Sequence, residues 1–360
     1  MELFGKSKSE LRDLCVSLGE PAYRGSQIYH ALYAEKKFSL AAISNLPATL
    51  RERLANEASI TLPTIRQRYA SQDGSVRYLF SLPAGDSKSA TRSASVESVF
   101  MPSDGRQTIC ISTQAGCAVD CQFCLTAQLG LIRNLTPGEI LAQVLIPLQE
   151  HHSALAPQTN VVLMGQGEPL LNFDSVMAAL RILLDPEGIG ITPKHVTLST
   201  SGIVSGIERL AQEKIRPKLA ISLNASNDER RNALMPINRK YPLAVLLEAC
   251  RNYPLRPWEH LTFEYVMLGG VNDSPEDARR VVRLLANLKS VKVNLIPWNP
   301  GELPYRESSA ETIEQFRKIL VDRGIPTFVR YSRGRDVMAA CGQLALLEIA
   351  PVNAAITPTR

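Results

Sequence analysis

Apolar positions in the first 58 residues recur at helical spacing. Leu11, Leu14, Cys15 and Leu18 form one stripe, stopped by Gly19-Glu20-Pro21; Ile28 and Leu32 form a second, and Leu46, Leu50 and Leu54 a third. The polar faces carry Arg12, Arg24, Lys36, Lys37, Arg51 and Arg53, which suit a solvated surface as readily as a nucleic-acid one. From about 64 to 113 the period becomes two, with strands expected at 76–82, 96–100 and 108–113. Asp104-Gly105 between the last two is a two-residue hairpin signal. With those two residues as the turn, Val99 faces Cys110 and Glu97 falls on the same face as Cys110. A three-residue loop would reverse that parity.

From about 107 to 331 apolar runs alternate with amphipathic segments. Strands are expected at 107–113, 160–164, 195–199, 217–223, 261–267, 291–296 and 326–331. Helices are expected at 137–150, 173–184, 204–213, 243–252, 274–288 and 310–322. The alternation implies an α/β fold, a parallel sheet covered by helices, open or wrapped into a partial or full (βα) barrel. The chain therefore divides into a helical module (1–60), a β extension (61–106), a barrel core (107–345) and a tail (346–360).

Composition narrows the class. Apolar residues make up 45% and charged residues 21%, enough for a large core and incompatible with disorder. No run approaches the roughly 18 apolar residues of a membrane span, and the first fifteen residues hold no apolar stretch of secretory type, so a cytoplasmic protein without a membrane partner is expected. The net charge of +5 permits a nucleic-acid partner without demanding one.

Seven cysteines stand at 15, 110, 117, 121, 124, 250 and 341. An odd number without a secretory segment points away from a disulfide framework and towards metal or redox chemistry. Cys117, Cys121 and Cys124 form a C-x3-C-x2-C loop after the first barrel strand. A closed zinc site needs four ligands and no fourth lies nearby. A cubane iron–sulfur cluster takes one thiolate per iron, so three thiolates leave one iron open to another ligand. Cys15 and Cys250 sit in apolar helical contexts and read as packing. Cys110 and Cys341 taken alone also suit a buried core, although Arg330, Arg333 and Arg335 would favour a thiolate at Cys341 if folding brought them close.

Barrel chemistry gathers where strands end. Gly165, Gly167 and Glu168 follow the strand at 160–164, Ser199 ends the next, Ser222, Leu223 and Asn224 end the strand after it, and Asn299 follows 291–296. Each polar residue also suits a helix cap or turn; their placement at four strand ends is what suggests a shared site.

These residues resemble a known family. Cys117, Cys121 and Cys124, with Phe123, match the radical S-adenosylmethionine signature. Residues 109–135, GQGEPLLN (165–172), VTLSTSG (196–202), LAISLNASND (219–228), EYVMLGGVND (264–273), VNLIPWNP (293–300) and ACGQLA (340–345) are similar to the RlmN/Cfr family of RNA adenine methyltransferases, closer to the RlmN branch. One departure is Gln166, where the family usually has Met; with Gly167 and Glu168 intact, only packing is expected to differ.

The resemblance implies one [4Fe-4S] cluster on Cys117, Cys121 and Cys124, with an open iron that binds S-adenosylmethionine. Gly167, Glu168, Ser199, Ser222, Leu223, Asn224 and Asn299 would bind that cofactor, Glu168 accepting from its ammonium. Two cofactor molecules would serve each turnover. Cys341 takes a methyl group from the first, and a 5′-deoxyadenosyl radical from the second abstracts hydrogen from that methyl. The carbon radical adds to adenine C2, Glu97 removes the ring proton, and Cys110 releases the product through a transient disulfide with Cys341.

Substrates would be 23S rRNA and the adenosine beside the anticodon in tRNA, with a flavodoxin-like one-electron reductant and a monomeric enzyme. The helical module would hold RNA, with Tyr23, Tyr29 and Tyr33 as stacking partners. A Cfr-type C8 methyltransferase, a radical enzyme on a small molecule and a non-catalytic iron–sulfur RNA-binding regulator remain alternatives.

Overall fold

The computed structural model describes residues 1–83 and 94–346; the tail reading falls on residues outside these, apart from Leu346. Helices α1 (Lys8–Ser17), α2 (Tyr23–Tyr33) and α3 (Ala48–Glu57) form at the three amphipathic stripes. α1 starts in a capping box, Ser7 and Glu10 each accepting from the other's amide, which satisfies two donors that a helix start otherwise leaves orphaned. Leu11, Cys15, Ile28, Leu32, Leu50 and Leu54 are buried beneath it, so Cys15 is a packing residue.

Two of the three tyrosines offered for stacking are not available. Tyr29 and Tyr33 are 2% and 0% exposed. A buried phenol needs a partner for its hydroxyl: Tyr29 donates to Asp185 at 2.8 Å, beyond a core helix, and Tyr33 to the Lys6 carbonyl at 2.9 Å. Both rings hold the module together and against the core. Tyr23 keeps an open face, with the Arg24 guanidinium 4.8 Å from its ring centroid.

Strands β1 (Thr64–Ala70), β2 (Val76–Ser81), β3 (Ser95–Ser103) and β4 (Arg106–Cys110) form an antiparallel meander. Asp104 and Gly105 make the two-residue turn: Ser103 pairs with Arg106 and Val99 with Cys110, while Gly105 takes a φ of 67° that costs a glycine nothing. Glu97 and Cys110 therefore share a face. β4 ends at Cys110, three residues early, because the chain turns out of the sheet towards the cysteine loop; the Ser112 amide donates to the Gln143 side chain and that of Thr113 to the Gln166 carbonyl. The short antiparallel pair β5 (Gln114–Gly116) and β6 (Leu131–Asn134) brackets that loop and α4 (Leu125–Gln128).

The parallel series continues from β4 through β7 (Gln158–Leu163), β8 (Val196–Thr200), β9 (Lys218–Ser222), β10 (Leu261–Met267), β11 (Val291–Pro297) and β12 (Thr327–Val329). Helices α5 (Pro137–Glu150), α6 (Phe173–Leu183), α7 (Val204–Ala211), α8 (Asp228–Leu234), α9 (Leu243–Asn252), α10 (Pro275–Leu285) and α11 (Ala310–Val321) lie between them. The strand order β1-β2-β3-β4-β7-β8-β9-β10-β11-β12 leaves β1 and β12 as edges. The sheet therefore does not close on itself, which rules out a full barrel among the described residues and leaves the expected α/β fold with a central parallel sheet, and the antiparallel extension continues it without a break.

Val161, Leu163, Leu198, Leu219, Ile221, Phe263 and Val293 are fully or almost fully buried along the strands, each removal from water being worth roughly 1.5–3 kcal/mol. Cys250 on α9 joins this core. α8 and the β5–β6 pair have no counterpart among the sequence expectations. DERRNAL carries too little apolar periodicity to signal a helix; Asn227 starts it by accepting from the Arg230 amide. Among the described residues no helix is long and apolar enough to cross a membrane.

Candidate active site

Cys117, Cys121 and Cys124 line one cavity at the carboxyl ends of the strands. Their loop leaves β5 at Gly116, whose φ is 74° and where a Cβ would meet the Gly130 carbonyl at 1.8 Å, so only glycine fits. The Gln122 amide donates to the Leu234 carbonyl at 3.0 Å, fastening the loop to the end of α8. Burial, with mutual repulsion among the cysteines, pushes Cys117 up to about 12 and Cys121 well above the ordinary thiol range. Such thiols stay protonated until a cation collects their charge. Among the described residues no three side chains converge on a single ion; a cubane cluster instead spreads its thiolates over separate irons. The donor set fits such a cluster with one iron lacking a protein thiolate.

Gly165, Gly167, Glu168, Ser199, Ser222, Asn224 and Asn299 line the same cavity, so the strand-end set does converge. Gly167 takes a φ of 96°, and a Cβ there would lie 2.5 Å from that of Gln114. The buried Glu168 carboxylate accepts from the Leu170 amide at 3.0 Å and from the Ser201 amide and hydroxyl at 2.7 and 2.8 Å. A carboxylate offers about four acceptor positions, so it retains capacity for an ammonium group. Burial raises its pKa despite these donors. The Asn224 Oδ1 accepts from the Val266 amide at 2.8 Å, and the Asn299 Nδ2 donates to the Ser332 hydroxyl and the Cys341 carbonyl at 2.9 and 3.1 Å.

Leu223 departs from its expected place. Its side chain is 0% exposed in the hydrophobic core, and it does not line the cavity. Its amide donates to the Glu264 carbonyl, and its own carbonyl accepts from Arg231.

A second cavity of about 280 Å³ adjoins the first. Cys110, Met101, Arg330, Tyr331 and Leu344 line only this second one; Cys117 and Cys121 line only the first, and Cys341 lines both. Cys341 is the exposed thiol of the seven, reached by solvent in the cavities, whereas Cys110 is buried. The protein packed around Cys341, and then the Glu264 carboxylate, push its thiol up to about 11. The three arginines do not favour a thiolate as expected, because each is engaged elsewhere: Arg330 donates to Asn294 at 3.3 Å, Arg333 to the Asp73 and Pro102 carbonyls, and Arg335 pairs with Glu307 at 3.0 Å.

Glu97 is 0% exposed and lines neither cavity. Arg77, equally buried, donates to it at 2.5 Å, and the Leu346 amide donates to its other oxygen at 3.0 Å. The hairpin parity holds, yet Leu344 stands in the cavity wall where Glu97 does not. Burial raises the Glu97 pKa against the opposing influence of Arg77.

Comparison with known proteins agrees with this geometry. Residues 111–285 match the radical SAM superfamily model, and residues 1–60 match the model of the ribosomal RNA large subunit methyltransferase N-terminal domain. A probable dual-specificity RNA methyltransferase RlmN from Koribacter versatilis is 49% identical, covering 93% of this chain and 99% of its own length. The chain belongs to the RlmN family of radical S-adenosylmethionine RNA methyltransferases. An RlmN from Anaeromyxobacter dehalogenans is 46% identical over 94% of this chain and 90% of its own length. The crystal structure of a radical SAM methyltransferase from Sphaerobacter thermophilus superposes with a TM-score of 0.88 at 42% identity, over 96% of this chain and 99% of that one.

Within this RlmN-type chain, Gln166 does more than pack. Its Oε1 accepts from the Glu97 amide at 3.1 Å, and its Nε2 faces both the Glu97 carboxylate and the Leu344 carbonyl at 3.5 Å. A methionine has no donor for the Glu97 carboxylate or the Leu344 carbonyl, and only a weakly accepting sulfur for the Glu97 amide. Sequence reasoning also missed Ser201, which holds Glu168, and Glu264, which lines the first cavity with Asn294 donating to it at 2.9 Å. Ser201 lies two residues beyond Ser199 in the same strand-end segment, a signal that was available.

Proposed function

We propose that this chain methylates C2 of one adenosine in 23S rRNA and of the adenosine beside the anticodon in tRNAs, carrying the transferred carbon on Cys341. The observation that supports this reading most is the position of Cys341 in the wall shared by two cavities, with the three-cysteine loop on one side and Cys110 on the other. A carrier thiol has to meet a donor and an acceptor in turn, and no other described cysteine except Cys124, assigned to the cluster, touches both spaces.

When bound, the [4Fe-4S] cluster and S-adenosylmethionine, two molecules per turnover, supply a methyl group and one-electron chemistry. Cys117, Cys121 and Cys124 would hold the cluster. Glu168 accepts the ammonium of the cofactor, a charge-assisted bond, and Gly167 lets the backbone come close. Ser199, Ser222, Asn224 and Asn299 offer hydroxyl and amide groups to its remaining polar atoms. Leu223 contributes packing behind that wall.

In the second cavity the adenine, turned out of its stack, lies between Cys341 and Cys110. Glu97 takes the ring proton, for which the Leu344–Leu346 segment has to lift from its carboxylate. Cys110, as its thiolate, then attacks the Cys341 sulfur: the sulfur–sulfur bond forms as the sulfur–carbon bond breaks, the electron pair leaves with the carbon as an enamine that takes up a proton to become the methyl group, and an external two-electron reductant returns the disulfide to two thiols. Residues 1–60 hold the folded RNA through basic side chains and Tyr23, since an enzyme acting on a flipped base gains its grip from sugar and phosphate contacts. A flavodoxin-like protein serves as electron donor to a cytoplasmic monomer.

The test is product analysis. The anaerobically reconstituted, reduced protein should convert a defined rRNA fragment and a tRNA to 2-methyladenosine by mass spectrometry, and Cys341→Ala should yield none. An 8-methyladenosine product would make it a Cfr-type enzyme, and 5′-deoxyadenosine without any methylated base would remove RNA as the substrate.

A further inference from the structure

Arg231 on α8 is 0% exposed and has no carboxylate in ion-pair contact among the described residues. Its guanidinium makes four hydrogen bonds, all to neutral oxygens: the carbonyls of Leu223 (3.1 Å), Ser201 (2.7 Å) and Ser222 (2.9 Å) and the Asn238 Oδ1 (2.9 Å). Asp228, the nearest acid of its own helix to act on it, turns its carboxylate to Asn238 and the Leu243 amide. A buried cation braced only by dipoles is strongly unfavourable unless an anion lies close by.

The structure points to where that anion belongs. Ser201 and Ser222, whose carbonyls grip Arg231, flank the first cavity, and Cys121 lines the same space. α8 ends against the cysteine loop through the Gln122–Leu234 bond, and Cys121 and Phe123 pack with Leu234 and Met235. A cluster on three thiolates carries net negative charge, and one electron more once reduced.

We propose that Arg231 is the built-in counter-charge of the cluster, acting through space to raise its reduction potential and ease its one-electron reduction. Arg231 is absent from the cavity lining and its fork is occupied by carbonyls, so it does not bind the cofactor directly. Adding an electron brings negative charge nearer to a fixed positive one, which stabilises the reduced state. The same guanidinium ties together the strand ends that carry Ser201 and Ser222, so the charge is held at a set place relative to the loop.

This inference rests on the reading that Cys117, Cys121 and Cys124 hold a cluster, but it requires no RNA. The full-length chain, reconstituted anaerobically, is compared with Arg231→Gln, Arg231→Lys and the Asp228→Asn/Asn238→Asp double variant by iron content, thermal melting and a redox titration followed by electron paramagnetic resonance. Arg231→Gln should lower the reduced-to-oxidised ratio at a fixed potential at least tenfold, about 59 mV for one electron, while Arg231→Lys stays within about threefold of wild type. Asn238→Asp, made together with Asp228→Asn so that two carboxylates do not meet at the 2.8 Å contact between these side chains, keeps an oxygen accepting from Arg231 while setting a carboxylate against the guanidinium, and should shift the ratio in the same direction as Arg231→Gln.

Loss of the cluster from Arg231→Gln but not from Arg231→Lys would equally support the charge role. An unchanged midpoint in Arg231→Gln or in the double variant would overturn it. So would equal shifts in the Lys and Gln variants, or folded Lys and Gln variants that both fail to take up iron. A cluster with wild-type potentials throughout, in a chain that still makes 2-methyladenosine, would sink this inference and leave the proposed function standing.

Discussion

Replacing Arg77 by Met tests the buried pair beside the second cavity. Arg77 and Glu97 are both 0% exposed and 2.5 Å apart, and the Arg77 guanidinium lies 4.1 Å from the Tyr69 ring centroid. Methionine keeps an apolar stem against that ring but strands the Glu97 carboxylate in the interior. Breaking one partner of a buried pair costs about 3–5 kcal/mol. With about 2.1 cal/mol/K of unfolding entropy per residue, spread over 360 residues, that corresponds to a fall of about 4–7 °C in Tm.

The pH dependence carries the diagnosis. Burial already holds the Glu97 carboxyl above its ordinary range, with Arg77 opposing it, and without Arg77 it rises further. A carboxyl whose folded pKa is raised contributes stability at low pH that is lost as pH rises through the folded value. The deficit of Arg77→Met should therefore be larger at pH 8 than at pH 5, because the stranded carboxyl takes up a proton as pH falls through its raised pKa. Adding Glu97→Gln should recover most of the lost Tm. Melts followed by circular dichroism at both pH values decide it: an equal loss at pH 5 and pH 8, or a double variant no more stable than the single one, refutes the reasoning.

Glu168→Gln should weaken S-adenosylmethionine binding about tenfold to a hundredfold, the worth of a charge-assisted hydrogen bond, as read by equilibrium dialysis on the cluster-loaded protein. Gln166→Met should fold with a Tm within a few degrees, costing about 0.5–1.5 kcal/mol for the bond to the Glu97 amide, and a larger loss would mean that the amide does more than brace Glu97. Iodoacetamide should label Cys341 well before Cys110, at a rate that climbs as pH rises towards its pKa of about 11; peptide mapping over a pH series checks this. Tyr29→Phe should cost about 0.5–1.5 kcal/mol by denaturant titration, through the lost Asp185 bond, while RNA affinity in a gel-shift assay stays unchanged.

The sheet was legible because its strands are short apolar runs bounded by turn residues, and the Asp104-Gly105 turn carried the parity that sets Glu97 and Cys110 on one face. The cavity wall was legible for a related reason: polar residues stand at and just past the strand ends, with Ser222 closing β9 and Asn224 two residues on, and both line the cavity. Leu223 between them is apolar, which suits the core where the structure places it. What the sequence could not carry were partners brought together across long separations. Nothing in the helical spacing of α2 tells that Tyr29 meets Asp185, and a glutamine in a Gly-rich turn does not announce Glu97, distant by 69 residues. Arg231 looks like one of several surface arginines in a charged run until α8 folds it inward. The three arginines near Cys341 illustrate the converse: proximity in sequence suggested a thiolate, and competing acceptors claimed each guanidinium.

The most direct test of a carbon carried on Cys341 uses Cys110→Ala. Incubated reduced and anaerobic with S-adenosylmethionine and the rRNA fragment, it should accumulate a covalent protein–RNA species, and digestion should place the linked nucleotide on the peptide containing Cys341. Free 2-methyladenosine released at the wild-type rate, or an adduct mapped to any other residue, would contradict it.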